Sequence, residues 1–213
     1  MKTLTELQTL KIKEHMLQEE EALKVRYKAK RNSFDSKKVP HSEVETWENQ
    51  GWIVKTVQKT KTLLIKPKDA SRRFEDEVWC MFYDLGFRIL NADEKLVVPW
   101  GDNETDKKQL DVVAVGDDAI FVVECKAAER AKKQSFQSVL NEMMLYKLGI
   151  SNSLRQIYGL DKRVKFIFAT RNYQIIDEGE DDKRMQENDI YHLDDNAFKY
   201  IGNLINSYKT AVI

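Results

Sequence analysis

The stretch that most constrains the fold is "LDVVAVGDDAIFVVECK", residues 110–126. Two β-rich runs flank Gly-Asp-Asp, which is the pattern of a β-hairpin. A turn at 117–118 sets Asp111 directly opposite Glu124, whereas a turn one residue earlier sets Asp111 beside it. Both turns place these two carboxylates and Lys126 on one face of the sheet, although a three-residue loop would reverse this relation.

Two acids and a base at one end of a strand pair predict a metal site. Carboxylates about 5 Å apart repel by roughly 3 kcal/mol at an effective dielectric near 20, so the arrangement calls for compensation. A hard divalent cation such as Mg²⁺ provides it, with Asp111, Glu124 and the backbone carbonyl of Cys125 as candidate ligands. Lys126 would then orient an attacking water. A Glu-x-Lys tripeptide alone is far more often a surface ion pair, and the preceding Asp111 and Glu75 favour a site here.

The segment "RRFEDEVWCMFYDLGF" upstream predicts a helix over 71–85 that ends before Gly86. Its apolar residues recur with the helical period and form a buried stripe, which comprises Phe74, Val78, Met81, Phe82 and Leu85. Glu75 borders this stripe, where an acid is as often a surface residue as a site residue. It becomes a candidate because of the acids that follow in the chain.

The pattern Asp111-x12-Glu124-Cys125-Lys126, preceded by Phe74-Glu75 and Gly86-Phe87, resembles the PD-(D/E)xK nuclease superfamily, closely its Mrr-like restriction endonuclease branch. The similarity covers about residues 71–170. It implies a DNA endonuclease that uses Mg²⁺, with Mn²⁺ able to substitute. Asp111 and Glu124 would be metal ligands, Lys126 the catalytic lysine and Glu75 an accessory catalytic acid. Leu110 stands where many members have proline.

The fold class follows from the order of the predicted elements. After helix 71–85, strands are predicted near 87–91, 110–116 and 119–126, then a helix over 132–148, a strand over 164–170 and a helix from about 195. This order indicates an α/β protein with a mixed sheet, and the resemblance implies a restriction-endonuclease-like αβββαβ core. We therefore expect a nuclease-like domain over 69–213.

Residues 1–68 are predicted to form a helical arm followed by a small helix and hairpin module. Residues 4–31 contain neither glycine nor proline and predict one long, mostly polar helix. Its leucines at helical spacing, Leu4, Leu7, Leu10 and Leu17, form a partial stripe that suits a second subunit. We expect a homodimer, because cutting both DNA strands commonly requires two active sites. The segment 52–68 predicts a β-hairpin.

The charges indicate where DNA would bind. The 35 basic and 35 acidic residues cancel, but residues 24–38 hold seven bases and one acid. We predict that Lys28, Lys30 and Arg31 contact the phosphate backbone, with a solvated helix end as the alternative. After the motif, Gln134 and Gln137 could touch DNA or water near the site. The acidic segment 177–189 predicts a solvated loop.

Other sequence features bear on the location of the protein, the state of its cysteines and its partners. The chain has neither a long apolar run nor a secretory leader, so we expect a cytoplasmic protein without membrane contact. Cys80 and Cys125 lack metal-ligand spacing and predict reduced thiols. The segments "EVETWENQGW" and "VKFIFATRNYQI" resemble the N-terminal region of DGQHR-domain proteins. This resemblance implies a role in bacterial defence, with further domains or subunits as partners.

Overall fold

The computed structural model describes residues 3–93, 95–175 and 178–211. Its helices are α1 (Glu6–Glu14), α2 (Glu20–Lys30), α3 (Val44–Glu48), α4 (Ala70–Asp84), α5 (Gln137–Tyr158), α6 (Glu178–Glu187) and α7 (Asp195–Ala211), with a 3₁₀ turn over His41–Glu43. Its strands are β1 (Met16–Leu17), β2 (Phe34–Val39), β3 (Ile53–Val57), β4 (Thr62–Pro67), β5 (Ile89–Asn91), β6 (Val97–Pro99), β7 (Lys107–Gln109), β8 (Val112–Val115), β9 (Ala119–Gln134), β10 (Arg163–Ile175) and β11 (Ile190–Leu193). Within these ranges, every helix falls short of the length and apolar content needed to cross a membrane.

A mixed six-stranded sheet forms the centre of the protein, in the order β1-β5-β8-β9-β10-β11. Strands β9, β10 and β11 run parallel to one another, and the remaining neighbours are antiparallel. The succession α4-β5-β8-β9-α5-β10 is the αβββαβ order expected from the sequence, so the predicted α/β fold class is confirmed. The short hairpin β6–β7 is inserted between β5 and β8.

Helices cover both faces of this sheet, because its strand residues alternate between two apolar cores. Val113 and Val122 belong to the core that includes Leu140 and Met143 of α5. Val112 and Val123 belong to the core that includes α4. Even-numbered residues of β9 therefore face α5, and odd-numbered residues face α4.

Helix α4 has clear start and stop signals in the sequence, and its prediction over 71–85 is confirmed. The carboxylate of Asp69 caps its N-terminus by accepting a 2.8 Å hydrogen bond from the backbone N–H of Arg72. Gly86 follows the helix with φ of 97°, a conformation that glycine adopts without strain. The capping aspartate comes directly after β4 and Lys68, so α4 is joined to the N-terminal region without a linker.

The prediction of one long helix over 4–31 is wrong. The segment forms α1 and α2, and between them β1 adds to the edge of the central sheet by pairing with β5. Ile12 and Leu23 are fully buried, one in each core. Tertiary pairing and burial thus override a helical pattern that contains no local break.

A second sheet of three antiparallel strands, in the order β2-β4-β3, lies between α2 and α4 in the chain. The predicted hairpin over 52–68 is confirmed as β3–β4. The small helix expected in this region is also present and comprises the 3₁₀ turn and α3. Strand β2 was not predicted from the sequence.

Two further predictions are corrected by the structure. The acidic segment 178–187 is helix α6 rather than a loop, with Asp181 and Met185 buried; residues 176 and 177 lie outside the described ranges. The helix predicted over 132–148 begins only at Gln137 and ends at Tyr158, because β9 continues to Gln134.

Candidate active site

The two predicted carboxylates meet where β8 begins. Val112 pairs with Val123, and the same register extended by one residue sets Asp111 opposite Glu124. The backbone N–H of Gly116 donates to the carbonyl oxygen of Ala119 over 2.9 Å, which places the turn at 117–118. The first of the two turns considered from the sequence is therefore the one that the chain adopts.

Asp111 is tied to the strand that carries the rest of the motif. Its Oδ2 atom accepts a 2.8 Å hydrogen bond from the backbone N–H of Cys125. The N–H and carbonyl of a strand residue point to the same neighbour, so the carbonyl of Cys125 also faces the Asp111 side. The carboxylate of Asp111 and the carbonyl of Cys125 thus lie on the same side of β9.

Glu124 is buried and contacts two lysines. Its side chain is 6% exposed, and its Oε1 atom accepts a 2.8 Å hydrogen bond from Lys126 Nζ. Lys108 Nζ lies 3.6 Å from Oε2 and also donates to Glu142 over 2.9 Å. Lys108 comes from the inserted hairpin, and the sequence offered no periodic or motif signal that could have singled it out.

The charge on Lys126 is stabilised by its neighbours. Burial lowers the pKa of this ammonium, but the attraction and hydrogen bond of Glu124, with Asp111 nearby, outweigh burial and raise the pKa above its ordinary value. Lys126 is therefore a cation at neutral pH. It is suited to stabilise negative charge rather than to accept a proton.

In the acids, by contrast, the surroundings disfavour the charged form, which raises the pKa of each carboxyl group. Burial, together with the charge of Glu124, raises the pKa of Asp111 to about 6, although the N–H of Cys125 opposes the shift. Burial, together with the charge of Asp111, raises the pKa of Glu75 to about 7. Glu75 lies in the first turns of α4, and its accessory catalytic role stays a prediction. This concentration of acids is costly without a cation.

Asn91 positions Asp111 from the neighbouring strand, and it was missed from the sequence. It is buried in β5, where its side-chain amide donates to the carbonyl of Asp111 over 3.0 Å and its Oδ1 accepts from the N–H of Val113. The indole N–H of Trp79 donates to the carbonyl of Asn91 over 2.8 Å. A buried hydrogen-bonded chain thus joins α4, β5 and β8 behind the site.

The donor set fits a magnesium ion. Two carboxylates and one carbonyl supply hard oxygen ligands, and Mg²⁺ in proteins commonly takes one or two carboxylates and completes its shell with water and phosphate oxygens. Across the described residues there is no group of three or more His, Cys, Asp and Glu side chains arranged to hold a metal by themselves. The carbonyl of Cys125 and outside oxygens would therefore have to contribute.

One predicted DNA contact is corrected by the structure. Lys28 and Arg31 are exposed at the end of α2, but Lys30 is buried. Its Nζ atom lies 2.5 Å from Asp76, which also binds Lys68 at 2.7 Å. Lys30 joins α2 to α4 and does not present its charge to solvent.

The end of β9 carries the two predicted glutamines and a basic stretch that was missed. Gln134 is half-buried in the ladder with β10, and Gln137 is exposed in the first turn of α5. Arg130, Lys132 and Lys133 are exposed on the part of β9 that follows Lys126. These three cations follow the candidate site along the same strand. They were missed because the sequence predicted a helix that begins at 132.

Comparison with known proteins assigns no family to the chain. No family model matches the chain, and neither does any curated protein. Solved structures with some similarity include Can2 from Sulfobacillus thermosulfidooxidans in complex with cyclic tetra-adenylate, with 15% identity and a TM-score of 0.39 over 94% of this chain. Another is protein VC1899 from Vibrio cholerae, with 10% identity and a TM-score of 0.37 over 99% of this chain. The matches span 55% and 58% of those chains, and nothing about the ligands of this protein follows from them.

Proposed function

We propose that this protein is a metal-dependent endonuclease that hydrolyses DNA phosphodiester bonds, in bacterial restriction or phage defence. The observation that carries the proposal is the placement of Asp111 and Glu124 on paired strands, with Lys126 bound to Glu124 at 2.8 Å. The pKa of Asp111, which burial and the charge of Glu124 raise to about 6, supports a metal ion beside this carboxylate.

Each residue of the site has a distinct role in this proposal. Asp111, Glu124 and the carbonyl of Cys125 would hold Mg²⁺, or Mn²⁺ in its place. When bound, Mg²⁺ supplies a water of lowered pKa and neutralises charge on the phosphate. Lys126 orients the attacking water and stabilises the charge that develops on phosphorus. Glu75, with a pKa of about 7, is matched to proton transfer near neutral pH.

The exposed cations near the site support DNA as the substrate. Arg130, Lys132 and Lys133 lie on β9 beyond Lys126, and these side chains suit contacts with backbone phosphates. Lys28 and Arg31 remain proposed contacts on the α2 side. Phosphate contacts of this kind set the position of the duplex but read no sequence.

A second candidate is a nucleic-acid-binding or assembly module that keeps the fold without catalysis. The ion pairs of Glu124 with Lys126 and Lys108 favour it, because they neutralise this buried carboxylate without a metal. Calorimetry with Mg²⁺ and Mn²⁺ separates the two candidates. A binding module has no need of a metal site, whereas a nuclease must bind the ion.

The direct test is cleavage of plasmid, linear DNA and RNA with Mn²⁺ or with EDTA. We expect cleavage of DNA only with the metal. Lys126→Ala should lower the single-turnover rate by roughly 10²-fold or more while metal affinity survives. Glu124→Ala should lower metal affinity and cleavage together. Lys183→Ala, at an exposed position of α6, is the matched control for the loss of a lysine.

Wild-type rates for both site variants on a substrate that the protein cuts would contradict the nuclease assignment. Metal binding without cleavage of any of these substrates would favour the second candidate.

We also propose that the active form is a homodimer, since Leu7 and Leu10 of α1 remain exposed. Additional domains or subunits of a defence system would select the DNA to be cut.

A further inference from the structure

The small sheet β2-β4-β3 has one covered face. Val39, Thr62 and Leu64 are buried on that face. Lys37 points to it as well, and its Nζ atom lies 3.1 Å from the ring centroid of Trp47 and 4.0 Å from that of Trp52. Two tryptophans and a lysine thus cover this side of the sheet along β2 and β4 by cation–π contacts, whereas Val54 and Val57 of β3 stay exposed.

The opposite face of the sheet is open. Directly paired residues of antiparallel strands share a face, so Phe34, Ile53, Leu63 and Ile65 lie together on it, and none of them is buried. Ile53 is 55% exposed. An apolar sheet surface of this kind is uncommon without a ligand or partner.

Exposed lysines surround this open face. Lys38 pairs with Leu63 and so lies on it, and the Nζ atom of Lys55 lies 4.6 Å from the ring centroid of Phe34. Lys59 and Lys61 are exposed at the hairpin turn. Across residues 49–68 the chain has five lysines and no acid. The surface therefore combines one half-buried aromatic ring, aliphatic side chains and positive charge.

The sheet is fixed to helix α4, which carries Glu75. Lys68, directly after β4, is buried and binds Asp76 at 2.7 Å, and Asp69 caps α4. Asp76 neighbours Glu75 in α4, and Lys30 holds the same aspartate from α2. These buried contacts leave no flexible linker between the open face and the helix that contributes to the site.

We propose that the open face of β2-β4-β3 is a second nucleic-acid-binding surface, which holds the substrate strand beside the active site through Lys38, Lys55 and Phe34. This proposal rests on the proposed function. Lysines around an apolar sheet face with an aromatic ring match a phosphate backbone with stacked bases. A second copy of this chain that docks through the same face is a poor occupant, because the lysines of the two faces would repel each other.

The test is fluorescence anisotropy in EDTA, with a labelled DNA duplex and a single strand of the same sequence, each about 30 nucleotides long. Lys38→Gln with Lys55→Gln should weaken binding roughly ten-fold, and the slope of log affinity against log salt should shrink by about 1.8 for the duplex and about 1.4 for the single strand. Lys183→Gln with Lys199→Gln changes the net charge equally on exposed helix positions and should leave both values unchanged.

A third variant separates stacking from charge. Phe34→Leu keeps an apolar side chain but removes the ring, so it should weaken binding of the single strand by about five-fold or more and affect the duplex less. Equal loss on both probes would assign the face to the phosphate backbone alone, which overturns the stacking role of Phe34.

Two results would overturn the proposal as a whole. One is equal affinity and salt slope for the Lys38/Lys55 double variant and its control. The other is binding of poly-glutamate as tight as that of DNA, which would assign the face to an acidic protein. Either result leaves the nuclease assignment to be judged separately, by Lys126→Ala in the cleavage assay.

Discussion

Lys108 Nζ lies 3.6 Å from Oε2 of Glu124, while Lys126 binds Oε1 of the same carboxylate. A buried acid thus has one lysine from its own strand and another from the inserted hairpin. The two lysines differ in their surroundings, because Lys108 also binds Glu142 and lies 5.3 Å from the ring centroid of Tyr146. We infer that Lys108 balances the charge of Glu124 in the metal-free protein, whereas Lys126 acts on the reacting groups.

Replacement of Lys108 tests this division. Lys108→Met removes a cation next to the metal ligands, so Mn²⁺ affinity at about pH 8 should rise several-fold by calorimetry. The single-turnover rate at saturating metal should fall less than ten-fold, far less than the roughly 10²-fold expected for Lys126→Ala. Lys107→Met, at the exposed neighbouring position, is the control. Weaker metal binding by Lys108→Met would contradict the proposed role.

Asp111→Asn should stabilise the metal-free protein at alkaline pH. The folded-state pKa of Asp111, about 6, exceeds its ordinary value of 3.8. Its contribution to stability is therefore complete below about pH 4 and is lost as pH rises through about 6. Urea unfolding in EDTA should show the variant about 2 kcal/mol more stable than wild type near pH 8 and nearly equal near pH 4.

The asparagine keeps an oxygen that can accept from the N–H of Cys125, so the comparison isolates the charge. Asp117→Asn, in the exposed turn of the same hairpin, should show little pH-dependent difference. Saturating Mn²⁺ should stabilise wild type but not Asp111→Asn. A variant that is less stable than wild type at alkaline pH would show that the charge of Asp111 is not a cost in the fold.

Asp76→Asn should destabilise the protein strongly. Asp76 is 1% exposed and binds Lys30 and Lys68, so the variant leaves two buried ammonium groups without their anion. Removal of one partner from a buried ion pair typically costs about 3–5 kcal/mol, which urea unfolding would measure. Asp161→Asn, at an exposed position, is the control. A loss below about 1 kcal/mol would mean that water reaches these lysines.

The oligomeric state depends on which exposed leucines pair. Leu7 and Leu10 are 60% and 55% exposed, and we expect Leu7→Ser with Leu10→Ser to convert a dimer to a monomer in light scattering. Leu145 and Leu148 form another exposed pair, on α5, and their replacement by serine is the comparison. A monomeric wild-type protein would contradict the proposed homodimer. A dimer that dissociates only in the α5 variant would place the interface on α5 instead of α1.

The parts of the fold that the sequence predicted well carry their signals locally. Helix α4 has a capping aspartate, an apolar stripe and a terminal glycine, and the β8–β9 hairpin has a turn of even length between alternating strands. The alignment of Asp111 with Glu124 follows from that hairpin alone. This is why the motif could be placed on one face without a structure.

The parts that were wrong or missed depend on residues distant in the chain. Lys30 looked like a DNA contact, but its anion is Asp76, 46 positions later. Strand β1 exists because it pairs with β5, and nothing in "HMLQ" breaks the helical pattern. Acid content suggested a loop over 177–189, yet Asp181 in α6 is buried and accepts from the N–H of Phe136.

The pairing of β1 with β5 also affects solubility. Strand β5 pairs with β8 on its other side, so β1 covers its remaining edge at Leu90 and Asn91. Exposed strand edges recruit strands from other molecules, and proteins commonly shield them. A shortened chain that begins after Leu17 should therefore aggregate rather than merely lose a helix. The pairing of β1 with β5 thus limits edge-to-edge assembly of the central sheet.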